Sequence, residues 1–280
     1  MSHHSGFAEL IRRRDGVEAF NEMSRIALAD DRPARVRLVV EDGSDVVALA
    51  FAVGDAPVDL AVHPDHRRRG HGAALLDMLL SQGERRFWAH GDLPAARGWA
   101  ALIGLQRERT LLRLALQPGA PTRGVEAPTG TTIRGFRDDD LPGLLAVNAR
   151  AFASHPEQRL MDHADFERRT KSDWFDPAGL FIAERGGQVI GFHWTKVDHG
   201  MGEVYLLAVD PDRRGEQLGA ALLARGLEHL AEVGVDGVEL YVEEGNGRAL
   251  DLYTAAGFAE VGRDVLYLST MPAAADPDPS

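Results

Sequence analysis

Val58-Asp59-Leu60-Ala61-Val62-His63-Pro64-Asp65-His66-Arg67-Arg68-Arg69-Gly70-His71-Gly72-Ala73-Ala74-Leu75-Leu76 can be laid over Tyr205-Leu206-Leu207-Ala208-Val209-Asp210-Pro211-Asp212-Arg213-Arg214-Gly215-Glu216-Gln217-Leu218-Gly219-Ala220-Ala221-Leu222-Leu223 at a constant offset of 147. Further on, Trp99 to Leu105 matches Leu252 to Phe258 at an offset of 153, so the second copy has gained six residues in between. Self-similarity at a fixed spacing is the mark of a duplicated unit. Whatever the first stretch builds, the chain builds twice.

Outward from that stretch the apolar pattern is the same in both copies. Val36 to Val40, Val46 to Val53 and Val58 to Val62 read as strands separated by Asp, Gly and Pro turns, and Gly72 to Gln82 reads as a helix with Leu75, Leu76, Leu79 and Leu80 on one face. The second copy repeats this with strands at Leu180 to Ala183, Val189 to Val197 and Glu203 to Val209 and a helix from Leu218 to Val233. It closes with a strand at Gly237 to Val242, a short helix at Gly247 to Ala256 and a last strand at Val265 to Leu268. The expected fold class is α/β, in the α+β sense of a mixed sheet covered by helices, in two tandem domains.

Gln117 to Gly130 holds Pro118, Pro121 and Pro128 with Gly119, Gly124 and Gly130 and almost no apolar periodicity. The domains are therefore expected at 1–117 and 131–270, joined by a linker at 118–130. Met271 to Ser280, rich in Pro, Ala and Asp, is expected to be a disordered tail. Across 280 residues, 31 Lys and Arg against 43 Asp and Glu leave a net charge of −12, which argues against a nucleic-acid binder. No apolar run is long enough to span a bilayer and the N-terminus lacks the apolar core of a signal peptide, so a cytoplasmic protein with no membrane partner is expected. Zero cysteines remove disulfides, thiolate metal sites and thiol nucleophiles together. None of the 11 His residues falls in a metal-type spacing, so no metal is expected.

A strand, a basic glycine-bearing turn and a helix start in that order form an anion-binding device, because successive backbone N–H groups and the helix dipole point at one place. Arg67-Arg68-Arg69-Gly70-His71-Gly72 has the Arg-x-x-Gly-x-Gly spacing and resembles the pyrophosphate loop of the GCN5-related N-acetyltransferases (GNAT). The resemblance implies two tandem GNAT domains, with acetyl-CoA as acetyl donor. The second copy departs from it: Arg214-Gly215-Glu216-Gln217-Leu218-Gly219 places Gln217 where a glycine belongs, and a positive φ there would be strained.

Acetyl transfer to an amine needs a base for the ammonium proton and an acid for the departing thiolate. In the resembled fold class the acid is commonly a Tyr on the last short helix, which points to Tyr253; the equivalent position of the first copy is Ala100. The carboxylate Glu203 opens the central strand of the second copy, where the first has Ala56. The second domain is therefore expected to be catalytic, through Glu203 and Tyr253, and the first to bind CoA without chemistry.

Four further runs are more specific: Phe87 to Asp92, Val147 to Phe152 followed by His155-Pro156-Glu157-Gln158, Trp174 to Leu180, and Gly191 to Val197. Through them the chain resembles the mycothiol synthases of actinobacteria over nearly its whole length. That resemblance implies transfer of acetyl to the cysteinyl amine of a cysteinyl-glucosaminyl-inositol. It puts substrate contacts on Glu22, Lys196, Glu203 and Tyr241, and on Asp173 in place of an altered acidic position. It puts CoA contacts of the first domain on Leu60, Ala61, Val62, Arg68, Arg69, Gly70, His71, Gly72 and Ala73. In the second domain they fall on Leu207, Ala208, Val209, Arg214, Gly215, Glu216, Gln217, Leu218, Gly219 and Ala220, and on Asn246, Gly247, Arg248, Ala249, Leu250 and Asp251. The partners expected are these two small molecules, with the protein a monomer. Two alternatives stay open: an acetyltransferase for a different small amine, and a non-catalytic CoA-binding tandem module.

Overall fold

The computed structural model describes residues 3–43, 45–120, 124–153 and 161–270. The expected tail at 271–280, the His155 to Gln158 motif and residues 121–123 of the expected linker lie outside the described residues.

In chain order the elements are α1 (His3–Asp15), α2 (Glu22–Ala29), β1 (Val36–Asp42), β2 (Asp45–Ala52), β3 (Val58–Val62), α3 (His71–Ser81), β4 (Arg86–Ala89), α4 (Pro94–Leu102) and β5 (Gln106–Leu116). Then follow β6 (Thr132–Gly135), α5 (Leu141–Ala151), α6 (His163–Thr170), β7 (Leu180–Arg185), β8 (Gln188–Asp198), β9 (Met201–Val209), α7 (Leu218–Val233), β10 (Gly237–Glu243), α8 (Gly247–Ala255) and β11 (Phe258–Leu268). They fall into two compact units. The first takes the described residues up to Leu112 together with Glu243–Gly245 and those from Gly262 on; the second takes Arg113–Val242 and Asn246–Val261.

In the first unit the strand order is β1-β2-β3-β4-β11-β5. β1, β2 and β3 are antiparallel neighbours, β3 and β4 run parallel, and β11 returns antiparallel to β4. Both faces of β2 are buried, which is why its sequence is a continuous apolar run rather than an alternation. Ala48, Ala50 and Ala52 pack with Leu75, Leu76 and Leu79 of α3, while Leu49 and Phe51 pack with Phe7 and Ile11 of α1 and Leu28 of α2.

The second unit repeats the layering with the order β5-β10-β9-β8-β7-β6, in which β9 and β10 are the parallel pair. Phe192, Trp194, Leu206 and Ala208 pack with Leu144 and Val147 of α5 and Phe166 of α6, whereas Phe181 and Ile190 pack with Leu218 and Leu222 of α7. His193 points to the α7 side, where its Nδ1–H donates to the Leu222 carbonyl at 2.8 Å. Burial holds this ring neutral, with its pKa lowered to about 4. Gly226 makes room for it, since a Cβ there would lie 2.1 Å from the ring. Among the described residues no helix is long and apolar enough to cross a membrane.

Candidate active site

The two basic turns fold alike down to their torsions. In the first, His63 accepts from the Asp65 N–H to start a short helical turn at Pro64–His66; in the second, Asp210 accepts from the Asp212 N–H ahead of Pro211–Arg213. Each chain segment then passes through two left-handed residues before its helix. In the first loop these are Arg68 (φ +63°) and Gly70 (φ +89°); in the second they are Gly215 (φ +86°) and Gln217 (φ +60°). At an offset of 147, Arg68 matches Gly215 and Gly70 matches Gln217. The glycine sits at opposite ends of one shared backbone path. Gln217 thus takes the positive φ that costs a residue with a side chain, in the place where the first loop has Gly70.

The cations of these loops are not equivalent. Arg67 is tied down by Asp15 and by the Val62 carbonyl, whereas Arg68 and Arg69 are exposed. In the second loop Glu216 is held by Arg185 at 2.6 Å, while Arg214 is exposed. A cavity of about 410 Å³ opens beside the first loop, lined by Leu60, Ala61, Val62, Arg68, Gly70 and His71, with Trp88 and Trp99 on its apolar side. Loop, free guanidinium groups and cavity together suit an anionic ligand with an apolar arm.

At the edge of that cavity lies His90, whose Nε2 is 2.9 Å from Asp59 and whose Nδ1 is 3.1 Å from Asp264. Asp59 is fully buried and also accepts from the backbone and side-chain N–H groups of Asn21. Burial alone would push the imidazole pKa down; the hydrogen bonds to Asp264 and Asp59 outweigh it and raise it to about 9. Both ring nitrogens are thereby spoken for.

The second unit differs where β8 meets β9. In the first unit β2 and β3 pair without interruption from Ala48↔Val62 to Phe51↔Asp59, the last register pair between them among the described residues. The matching pair of the second unit is Trp194↔Leu206, but there the hairpin goes on: Tyr205 is an extra, bulged residue, and four more pairs follow from Thr195↔Val204 to Asp198↔Met201. This extension carries Lys196 and Glu203 as direct partners, with Nζ 3.9 Å from the carboxylate. Lys196 is 5% exposed and its ammonium lies 5.3 Å from the Trp174 ring and 6.0 Å from the Tyr205 ring. Trp174 meets Tyr205 edge to face at 4.8 Å, and Arg169 of α6 stacks on Tyr205 while donating to its hydroxyl. The result is a half-buried wall of aromatic rings holding two cations, Lys196 and Arg169, with the carboxylate of Glu203 beside Lys196, able to grip a polar, hydroxyl-bearing molecule and to accept a proton.

The remaining residues singled out in the sequence are placed as follows. Tyr253 on α8 is buried, edge-on to Phe258 at 5.8 Å, and desolvation pushes its phenol pKa up, so the hydroxyl stays protonated. Asn246 caps α8, accepting from the Ala249 N–H at 3.2 Å. Tyr241 is 45% exposed on β10, and Asp173 is exposed in the turn ahead of Trp174. Glu22 opens α2 in the first unit, its side chain exposed. Sequence reasoning passed over Tyr205, Arg169 and the Asp59–His90–Asp264 group. Trp174 stood inside a quoted run without a role. Among the described residues no three His, Asp or Glu side chains are grouped to hold a metal ion.

The family described as "Acetyltransferase (GNAT) family" matches residues 7–101 and 147–258. A mycothiol acetyltransferase of Clavibacter sepedonicus is 46% identical over 270 residues, covering 93% of this chain and 89% of its own. That of Thermobispora bispora is 44% identical over 275 residues, covering 93% and 92%. Among solved structures, a GCN5-related N-acetyltransferase from Sphaerobacter thermophilus superposes with a TM-score of 0.76 at 22% identity, covering 95% of this chain and 92% of that one. A tandem GNAT protein from the clavulanic acid biosynthesis pathway does so at 0.64 and 20% identity, covering 87% and 85%. These two share the fold.

Proposed function

The chain belongs to the GNAT acetyltransferases and, among them, to the mycothiol acetyltransferases, and from that membership we propose how its residues divide the work. It is an N-acetyltransferase that moves the acetyl group of acetyl-CoA to the cysteinyl amine of cysteinyl-glucosaminyl-inositol, giving mycothiol and CoA. The observation that carries the assignment of chemistry to the second unit is the lengthened β8–β9 hairpin with Glu203 beside Lys196, against the shorter hairpin and Ala56 of the first.

In this reading Glu203 takes a proton from the acceptor ammonium, whose pKa near 8 makes a carboxylate an adequate base at neutral pH. The freed amine forms its C–N bond to the acetyl carbon as the C–S bond breaks. Tyr253, kept protonated by burial, gives its proton to the departing sulfur. Lys196 and Tyr241 hold hydroxyl groups of the sugar and inositol, Asp173 supplies a further carboxylate, and Trp174 and Tyr205 form the wall against which the acceptor lies. The diphosphate of CoA is held by the backbone of Arg214 to Ala220, the pantetheine by Leu207 to Val209, and the rest by Asn246 to Asp251. The first unit binds a CoA molecule in the same manner along Leu60 to Val62 and Arg68 to Ala73, without chemistry.

The test mixes the full chain with acetyl-CoA and cysteinyl-glucosaminyl-inositol and follows CoA release and product mass. Mycothiol formation is expected. Turnover with unrelated amines only would replace the acceptor, a reading favoured by the altered Ser172-Asp173 segment, and no turnover with any amine would favour a binding module.

A further inference from the structure

β9 and β10 run parallel with Glu203 and Glu239 as direct partners. Residues so paired send their side chains to the same face of a sheet, one strand spacing of about 5 Å apart. Glu203 has Lys196 on its outer flank at 3.9 Å, and Glu239 has Arg113 of β5 on its own, the guanidinium donating at 3.1 Å. Across β8, β9, β10 and β5 the second unit thus carries a row of cation, anion, anion, cation. Glu203 and Glu239 are each about a quarter exposed, at 25% and 24% of their side chains. The duplicate lacks the pair: Ala56 stands for Glu203 at an offset of 147 and Arg86 for Glu239 at an offset of 153.

Like charges directly opposite in a sheet destabilise it, so stability does not explain two adjacent carboxylates. A ligand cation does. We propose that Glu239 is a positioning residue for the transfer: it draws the acceptor ammonium to Glu203 and, as a like charge beside it, keeps Glu203 basic enough to take the proton. The step itself is balanced between two groups, an N–H bond breaking on the ammonium and an O–H bond forming on Glu203. The charged groups set against Glu203 are Lys196 on β8 and Glu239 on β10, with Arg113 behind Glu239; Tyr205 and Tyr241 stand two residues further along β9 and β10, and Arg169 is held by Tyr205 and Asp165. The inference rests on Glu203 being the base.

The experiment measures kcat and the KM for cysteinyl-glucosaminyl-inositol from pH 6 to 9 for the full chain, Glu239→Gln and Arg113→Gln. Removing the anion favours the deprotonated forms of both Glu203 and the amine. Glu239→Gln should therefore move the acidic limb of kcat down by about half a unit to one unit and raise the acceptor KM about three- to tenfold. Arg113→Gln removes the balancing cation, and its limb should move up. A purely structural role lowers rates without opposite displacements. Wild-type turnover with both limbs unmoved would overturn the role of Glu239 alone. Absence of wild-type turnover with this acceptor would overturn the acceptor assignment and this role with it.

Discussion

Lys196 and Glu203 face each other across β8 and β9, the ammonium buried under Trp174 and Tyr205 and 3.9 Å from a carboxylate that is still a quarter exposed. The cation is fixed and the anion is reachable, an arrangement suited to a lysine that orients and a glutamate that reacts. Glu203→Gln should lower kcat at neutral pH by 10²-fold or more, the usual contribution of a positioned base. Lys196→Gln should instead raise the acceptor KM about tenfold and leave the KM for acetyl-CoA within twofold. Steady-state kinetics with each substrate varied separates the two; equal effects on both Michaelis constants would contradict the division.

Tyr253 is buried on α8 and its phenol is harder to ionise than a free one. A group that stays protonated through the working range is a proton donor, not a base. We expect Tyr253→Phe to cut kcat by about 10²–10⁴, with acetyl-CoA affinity by titration calorimetry unchanged. A rate within twofold of wild type would remove the residue from the reaction.

Gln217 shares the left-handed conformation of Gly70 and leaves its side chain exposed. Since the backbone already takes the path that glycine would take, Gln217→Gly should leave acetyl-CoA affinity of the second site within about threefold. Gln217→Val is the contrasting case: a β-branched residue resists positive φ at a cost of roughly 1–2 kcal/mol. Its affinity should fall about tenfold. Tightening by Gln217→Gly beyond that range would mean the amide side chain obstructs the loop.

His90 is held at a pKa of about 9 between Asp59 and Asp264. Its folded value lies above the ordinary 6.5, so the stabilisation is fully present below pH 6.5 and is lost as pH rises through 9. The raised pKa corresponds to on the order of 3 kcal/mol. Urea unfolding of wild type should show a fall of that order between pH 6.5 and 10 that His90→Gln lacks. Parallel pH profiles for the two proteins would place the proton elsewhere.

Much of the frame is legible in the chain. The helix expected over Leu218 to Val233 has those very ends, and the strand at Val58 to Val62 likewise, because apolar periodicity and flanking Gly and Pro are local signals. Other elements run longer than their apolar residues suggest. β11 begins at Phe258, not at Val265, since Ala259, Glu260 and Val261 are exposed in succession and Gly262 to Asp264 only half-buried, which leaves no apolar alternation to read. Tyr205 could not be recognised as a bulge, because a bulge is a property of two strands and its partner register is invisible along one. Glu239 looked like any half-exposed strand residue until β10 was set beside β9.

The duplication, the twin loops and the asymmetry of Glu203 and Tyr253 against Ala56 and Ala100 were determined by sequence alone, since they are comparisons of residues at fixed offsets. Only the tertiary structure decided that Lys196, Glu203, Glu239 and Arg113 form one charged row and that Asp264 of β11 closes on His90 in the first unit. Strand pairing joins residues up to 182 positions apart, as Leu268 and Arg86 are, and no local preference of either residue encodes which strand it will lie against.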